Sequence, residues 1–367
     1  MFAIKVAPAL VTGNAIIVKS GEKALLAVLK VAELIKEAGF PAGLVNVISG
    51  DGRTSDLLAW NMSIGEISFT GSVAIGRKVA QAAAASNLED VTLELGGKSP
   101  AVVFVDADLD TAVTATGISF YVNSDHHCEA NSRILVEESI IDTYLRKITK
   151  LMSSRKIGDL TDNATFQGPQ GDKQQQRNIL EFINEGNQAG ELVYTGQVLE
   201  GNGAFAPPTI FKNAGRDSRI FQEEVFGPAV IVNSFKTEEE AIEIANDTQY
   251  GLHGKSYVRP PYIVHLSNLE VIASVYTTNF ARAMRFAKAF EAGIAGVNCG
   301  APEQGLDMPV GGWKQSGIGS EMHMYSVENF LQTKVVYFKH EFQGLGDIEN
   351  HVVDSRRLEG KGTILNA

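Results

Sequence analysis

The sequence predicts an α/β protein of two domains built on parallel sheets. Three observations predict it. Short β-branched runs recur through the first 140 residues. Stretches of helical length and spacing separate them. Turn residues such as Gly39 and Pro41 stop those stretches. Strands and helices that alternate in this way make βαβ units, whose strands lie parallel.

The elements follow in order. "NAIIVKS" (14–20) is a β-branched run, and "EKALLAVLKVAELIKEAGF" carries Leu25, Leu29, Ala32 and Ile35 at helical spacing. "LVNVISG" (44–50) and "EISFTGS" (66–72) are expected as buried strands, "AIGRKVAQAAAAS" (74–86) as a helix and "VTLELGG" (91–97) as the next strand. This is the architecture of dinucleotide-binding domains. "AVVFVD" (101–106) and "RILVEES" are further strands, "ADLDTAVTATGISFYV" and "IIDTYLRKITKLMSS" further helices. The polar, Gly/Asn/Gln-rich stretches 157–175 and 185–204 are expected as loops and short elements, and 341–367 as a flexible tail. Domains are expected at 1–96, 97–308 and 309–340, the last returning to the first domain.

Composition narrows the class. The chain has 367 residues, 44% hydrophobic and 20% charged, with net charge −11. An acidic balance argues against nucleic acid or anionic membrane as main partner. No apolar run is long enough to span a bilayer, and "MFAIKVAPALVTGN" lacks a signal-peptide pattern. Cys128 and Cys299 are the two cysteines, too few for a disulfide framework, so a reducing, cytoplasmic location is expected.

Two stretches carry chemistry. "LELGGKSP" (93–100) puts Glu94 at a strand end before two glycines, where parallel sheets bind ligands. Cys128 follows 34 residues later in "NSDHHCEANSR". A thiol nucleophile with a carboxylate general base suits acyl chemistry through a thioester. Zinc is the weaker reading of His126, Cys128 and Glu129, because adjacent residues point in different directions and structural sites space their ligands. No metal is expected. Cys299 in "GVNCG" is read as structural, and Trp313 as packing.

Five ordered blocks resemble the aldehyde dehydrogenase superfamily: "FTGSVAIG" (69–76), "LELGGKSP", "CEANSR" (128–133), "EEVFGP" (223–228) and "GGWKQSGIGSE" (311–321). The resemblance covers about residues 3–339. It implies an aldehyde dehydrogenase-like fold, with a partial Rossmann-type cofactor domain and an α/β catalytic domain. It implies oxidation of an aldehyde to a carboxylic acid. Cys128 attacks the aldehyde, the thiohemiacetal passes hydride to the nicotinamide, and Glu94 activates the water that hydrolyses the thioester. Lys5 and Glu321 match a lysine and glutamate that relay the proton. Lys19 and Glu22 match residues that hold the adenosine ribose. Thr70, Gly71, Ser72, Gly76 and Leu95 fall in the cofactor blocks, with Gly71 and Ser72 at a helix N-terminus that favours pyrophosphate. Glu224 and Phe226 match positions beside the nicotinamide. Glu22 favours NAD, with NADP the alternative, because a carboxylate repels a 2′-phosphate. A homo-oligomer and a small aldehyde substrate are the implied partners.

The sequence departs from the family in three places. An upstream segment with a Trp-Asn pair, whose asparagine donates to the oxyanion hole, does not precede "APAL", so the chain is expected to be N-terminally truncated. Asp125-His126 stands where the family has Gly-Gln, and Glu129 disfavours the thiolate while His126 or His127 would favour it. About 19 extra residues interrupt "YGL…VYT" near 255–273, expected to be translated intron, with a surface loop as the alternative. Two other functions stay open: a non-catalytic relic that binds nucleotide or a partner subunit, and a residual thiol esterase.

Overall fold

The computed structural model describes residues 1–199, 201–252, 273–300 and 308–337. The expected tail at 341–367 and, but for Ala273, the insertion at 255–273 lie outside them. Residues 1–331 form one compact unit and 332–367 a second, whose described part, 332–337, has no helix or strand.

The chain runs α1 (Phe2–Val11), β1 (Ile16–Lys19), α2 (Leu25–Glu37), β2 (Val45–Ile48), α3 (Gly52–Ala59), β3 (Glu66–Thr70), α4 (Val73–Ala85), β4 (Asp90–Glu94) and β5 (Pro100–Val103). It continues through α5 (Leu109–Ser119), β6 (Arg133–Glu137), α6 (Ile141–Ser153), β7 (Lys156–Ile157), β8 (Thr165–Gln167), α7 (Lys173–Ala189), β9 (Glu191–Thr195), β10 (Thr209–Lys212), α8 (Arg219–Gln222) and β11 (Ala229–Phe235). Then come α9 (Glu238–Asn246), β12 (Tyr250–Gly251), β13 (Ala273–Tyr276), α10 (Phe280–Ala289), β14 (Ala295–Val297), β15 (Trp313–Lys314), β16 (Gly317–Ile318) and α11 (His323–Glu328).

The main sheet has the order β14-β13-β5-β6-β11-β10-β9, parallel except for β9. Alternation along its strands sends Val102, Leu135, Ile231 and Val275 to one face, under Phe182, Phe235 and Phe286. Ala101, Ile134, Val136 and Val230 go to the other, under Tyr144, Leu145 and Ile148. Both faces are covered, as a parallel sheet requires.

The expected cofactor half is divided between two small sheets. β1 and β2 pair only with each other, and β3 and β4 form a second sheet with β16 added antiparallel to β4. Two expectations need correction here. "LVNVISG" and "EISFTGS" were expected as buried strands, yet every residue of β2 and β3 is partly or fully exposed. For β2 the reason is thin cover: α2, the helix between β1 and β2, buries no residue. β3 is an edge strand of its sheet, and its Ile67 and Phe69 are only partly buried against Val79.

The polar stretches 157–175 and 185–204 are more ordered than expected, because α7 begins in the first and ends in the second. Asp172 starts it by accepting from the Gln175 amide at 2.7 Å. Its polar composition hides Ile179, Phe182 and Gly186, three or four apart and all buried. Helices α1 and α3 have no counterpart among the expectations. α1 contains Pro8, an internal breaker signal, and α3 has only eight residues.

Candidate active site

Glu94 ends β4, next to the turn that joins the two sheets. Ser316, fully buried, fixes this turn: its carbonyl accepts from the Leu95 amide at 2.7 Å, and its hydroxyl donates to the Gly96 carbonyl at 2.7 Å. Arg133, also buried, holds the far side of the turn. Its Nε donates to the Lys98 carbonyl at 3.0 Å, and its other nitrogens donate to the carbonyls of Ile244, Ala245 and Asp247 at the end of α9. A cation belongs at a helix C-terminus, where the carbonyls lack helical partners.

The two glycines allow the other loops to close in. A Cβ on Gly97 would lie 2.6 Å from the Cys128 carbonyl oxygen, and one on Gly96 would lie 2.0 Å from Glu224 Oε2. Glu224 Oε1 accepts from the Gly97 amide at 3.1 Å. The expected close backbone approach is what these contacts use.

The Cys128 loop holds three successive left-handed residues, Asn123, Ser124 and Asp125, with φ of 52°, 57° and 61°. Such a run costs energy for any residue but glycine. Packing and hydrogen bonds hold it here: Ser124 Oγ donates to the Gly168 carbonyl at 3.0 Å, and Asp125 Oδ2 accepts from the Gly227 amide at 3.0 Å. Asp125 therefore ties the Cys128 loop to the loop carrying Glu224 and Phe226. The rings of His126 and Phe226 lie 5.4 Å apart.

Electrostatics decide between the two readings of Cys128. Burial pushes its pKa up, and Glu129, Glu224 and Glu94 push it further. His126 does not offset them, because burial lowers its own pKa and favours the neutral ring. His127 lies 3.6 Å from Glu129. Glu94 is raised to about 9, first by burial and then by Glu321 and Glu129, against the pull of Lys5. Both groups rest in their neutral forms near neutral pH.

Behind Glu94, Lys5 and Glu321 form an ion pair, and Ser68 Oγ bonds to both at 2.8 Å. The structure thus brings Cys128, Glu94, Lys5, Glu321, Glu224 and Phe226 into one region. Leu95 is buried there, and Gly76 lies against it, a Cβ at that glycine falling 2.5 Å from Leu95 Cδ2. Lys19 ends β1 and Glu22 is exposed in the turn beyond it, neither joining an ion pair with a described residue.

The α4 N-terminus suits an anion. Ser72 stands at its N-cap but no side chain caps the helix, and the Gly71 amide donates to the Glu94 carbonyl. Thr70 Oγ1 is buried without a partner. The uncapped amides and this orphaned hydroxyl fit the pyrophosphate of a dinucleotide.

Lys98 was missed in the sequence. It is buried with its Nζ unpartnered, and burial lowers its pKa to about 7, with Asp125 and Glu224 resisting. Glu94 Oε1, Asp125 Oδ1, Glu66 Oε2 and Glu321 Oε2 are further buried atoms without partners. Natural cores rarely leave such atoms unpaired, and several of this chain's unpaired atoms lie in this region. A lysine directly after two glycines at a strand end was the available signal.

The aldehyde dehydrogenase family matches residues 1–259 and 267–336. An aldehyde dehydrogenase of Emericella nidulans is 42% identical over 341 residues, covering 92% of this chain and 65% of that protein. Human retinal dehydrogenase 2 is 40% identical over 341 residues, covering 92% of this chain and 62% of that one. The aldehyde dehydrogenase KauB from Pseudomonas aeruginosa superposes with a TM-score of 0.85 at 36% identity, covering 93% of this chain and 66% of the other. A P. syringae indole-3-acetaldehyde dehydrogenase solved with NAD+ gives 0.83 at 37%, covering 90% and 64%. The chain spans about 65% of the length of the first curated relatives it matches.

Proposed function

We propose, from the premise that the chain belongs to the aldehyde dehydrogenase family, that it oxidises an aldehyde to a carboxylic acid through a thioester on Cys128. The convergence of Cys128, Glu94 and Glu224 from three loops carries the reading. Cys128 Sγ adds to the aldehyde carbon, its proton going to a nearby base. NAD, when bound, supplies the hydride acceptor. Glu94 then takes a proton from the water that attacks the acyl carbon, and the thiol leaves.

The α4 N-terminus, Thr70, Gly71 and Ser72 would hold the pyrophosphate, Lys19 and Glu22 the adenosine ribose, and Glu224 with Phe226 the nicotinamide end. Gly76 and Leu95 set the packing beneath that helix. NAD rather than NADP follows from the carboxylate at Glu22. The division into a cofactor part (1–96 and 309–340) and a catalytic part (97–308) is supported by most of the sheet membership: β3, β4 and β16 share one sheet, and seven strands between β5 and β14 form the main one, while β12 pairs across the division with β15. Among the described residues no helix is long and apolar enough to cross a membrane. A homo-oligomer in the cytoplasm is the setting that the family resemblance and the two free cysteines support.

The test is NADH formation from a simple aldehyde such as acetaldehyde. Cys128→Ala should abolish it, and Glu94→Gln should slow acyl hydrolysis by roughly 100- to 10,000-fold. Hydrolysis should climb as pH is raised toward about 9, where Glu94 becomes a carboxylate. NADH formation that survives Cys128→Ala would sink the proposal. Ester hydrolysis without NADH would favour the thiol esterase.

A further inference from the structure

One peptide unit beside the site is gripped at both ends. Phe226 and Gly227 lie in the loop between α8 and β11, just after Glu224. The Phe226 carbonyl accepts from Gln175 Nε2 at 2.9 Å, and the Gly227 amide donates to Asp125 Oδ2 at 3.0 Å. The two grips come from different elements. Gln175 stands in the first turn of α7, which Asp172 caps, and Asp125 in the loop that leads to Cys128. Ile179, one turn further along α7, closes the same side: a Cβ on Gly227 would fall 2.3 Å from its Cδ1.

The grip has strain to hold. Phe226 has φ of 51°, a left-handed backbone that a bulky side chain avoids unless its surroundings impose it. Asp125 is left-handed too, at 61°, so one hydrogen bond joins the segments of two strained residues. Val225 and Gly227 are buried, and Phe226 between them is half-buried. Its ring lies tilted against that of His126, the residue after Asp125, with centroids 5.4 Å apart. The nucleophile loop thus meets Phe226 twice, at its peptide and at its ring, and Cys128 follows two residues after the second contact.

We propose that Asp125 and Gln175 clamp the Phe226–Gly227 peptide, so that the Phe226 ring is presented to the nicotinamide end of the cofactor at a separation from Cys128 that the nucleophile loop sets. The inference rests on the reading of Cys128 as nucleophile and of Phe226 as the neighbour of the nicotinamide. Both clamping residues act through Phe226, so both are positioning residues. What they position matters for one step. Hydride leaves the carbon that Cys128 holds and goes to the nicotinamide, so its rate depends on how closely the two are set. Hydrolysis of an acyl group on Cys128 needs water and Glu94 but no cofactor. The clamp therefore acts on the first reaction far more than on the second.

Asp125 serves as an acceptor and not as a charge. Burial pushes its carboxyl well above the usual carboxylate range, against the pull of Lys98 and of the Gly227 amide. A side-chain amide oxygen accepts the same bond.

The experiment compares the whole chain with Asp125→Gly, Asp125→Asn and Gln175→Leu. Glycine adopts φ of 61° without strain, so Asp125→Gly keeps the loop and loses the acceptor. NADH formation from acetaldehyde and hydrolysis of p-nitrophenyl acetate without cofactor are measured side by side. Asp125→Gly and Gln175→Leu should each lower NADH formation about 10- to 100-fold more than ester hydrolysis. Asp125→Asn should restore most of the difference. A merely structural role would lower both activities together, and that result, or no change in either, overturns the clamp. Where the chain turns nothing over, the dissociation constant for NADH, read from its fluorescence, decides. A rise in Asp125→Gly that is absent in Asp125→Asn supports the clamp, and an equal constant in every variant overturns it. If the unaltered chain neither forms nor binds NADH, the reading of the cofactor site itself is wrong and the clamp falls with it.

Discussion

Strand β6 of the main sheet and the β1–α2–β2 unit read alike in sequence, as branched strands beside amphipathic helices, but they end in opposite states of burial. Ile134 in β6 is fully buried between β5 and β11, under α6. Leu26 in α2 is 77% exposed, and Ile17 and Leu34 are about half exposed. The difference lies in what stands opposite. The main sheet has seven strands with a helical layer on each face, whereas β1 and β2 pair only with each other and are flanked by α2 and the end of α1. Periodicity tells which face of an element is apolar. It does not tell whether anything covers that face.

The largest effect should come from the residue that anchors the buried region to the active-site turn. Arg133→Ala leaves four carbonyls, those of Lys98, Ile244, Ala245 and Asp247, without their donor. At about 1 kcal/mol or more for each buried group, the loss is at least about 4 kcal/mol. Urea unfolding measures it as a drop in midpoint. A loss below about 1 kcal/mol would mean that the main sheet does not depend on this anchor.

How much was legible follows from the same contrast. Two strands of the main sheet, β5 and β6, were read from their sequence because their apolar runs are bounded by Asp106, Asp108 and the "EES" turn, whereas β9 fell in a stretch expected as loops and β10, β11, β13 and β14 were not singled out. Cys128 and Glu94 were singled out because one of only two cysteines stands in a loop and a carboxylate stands at a strand end before two glycines. Ser68 and Glu66 were missed, although "EISFT" and "VTLEL" both alternate. Only the register, which pairs Ser68 with Thr92, turns two alternations into one polar face. Ser316 and Arg133 act across more than 100 residues of sequence, and no local pattern announces such contacts. α7 was hidden for the opposite reason, since its glutamines and asparagines mask three buried positions.

A smaller effect tests the buried side of the comparison. Ile134→Val removes one methylene from a position with no exposure. The cost should be about 1 kcal/mol, from lost transfer free energy and a small cavity. The same urea midpoint reports it, and no measurable change would show that this core is loosely packed.

The smallest effect is the most informative about the other side. Leu26→Ala removes three carbons, three times as many as Ile134→Val, yet it should change stability by less than about 0.5 kcal/mol. Little apolar surface is lost to water at a residue already 77% exposed. Alanine is also the better helix former, so at the first turn of α2 the change should lean toward stabilisation. Hydrophobic area alone would rank the two substitutions the other way round, and only burial reverses them. A loss above about 1 kcal/mol at Leu26 would show that this face of α2 is covered in solution, and the contrast between the two regions would then belong to the isolated chain and not to the working protein.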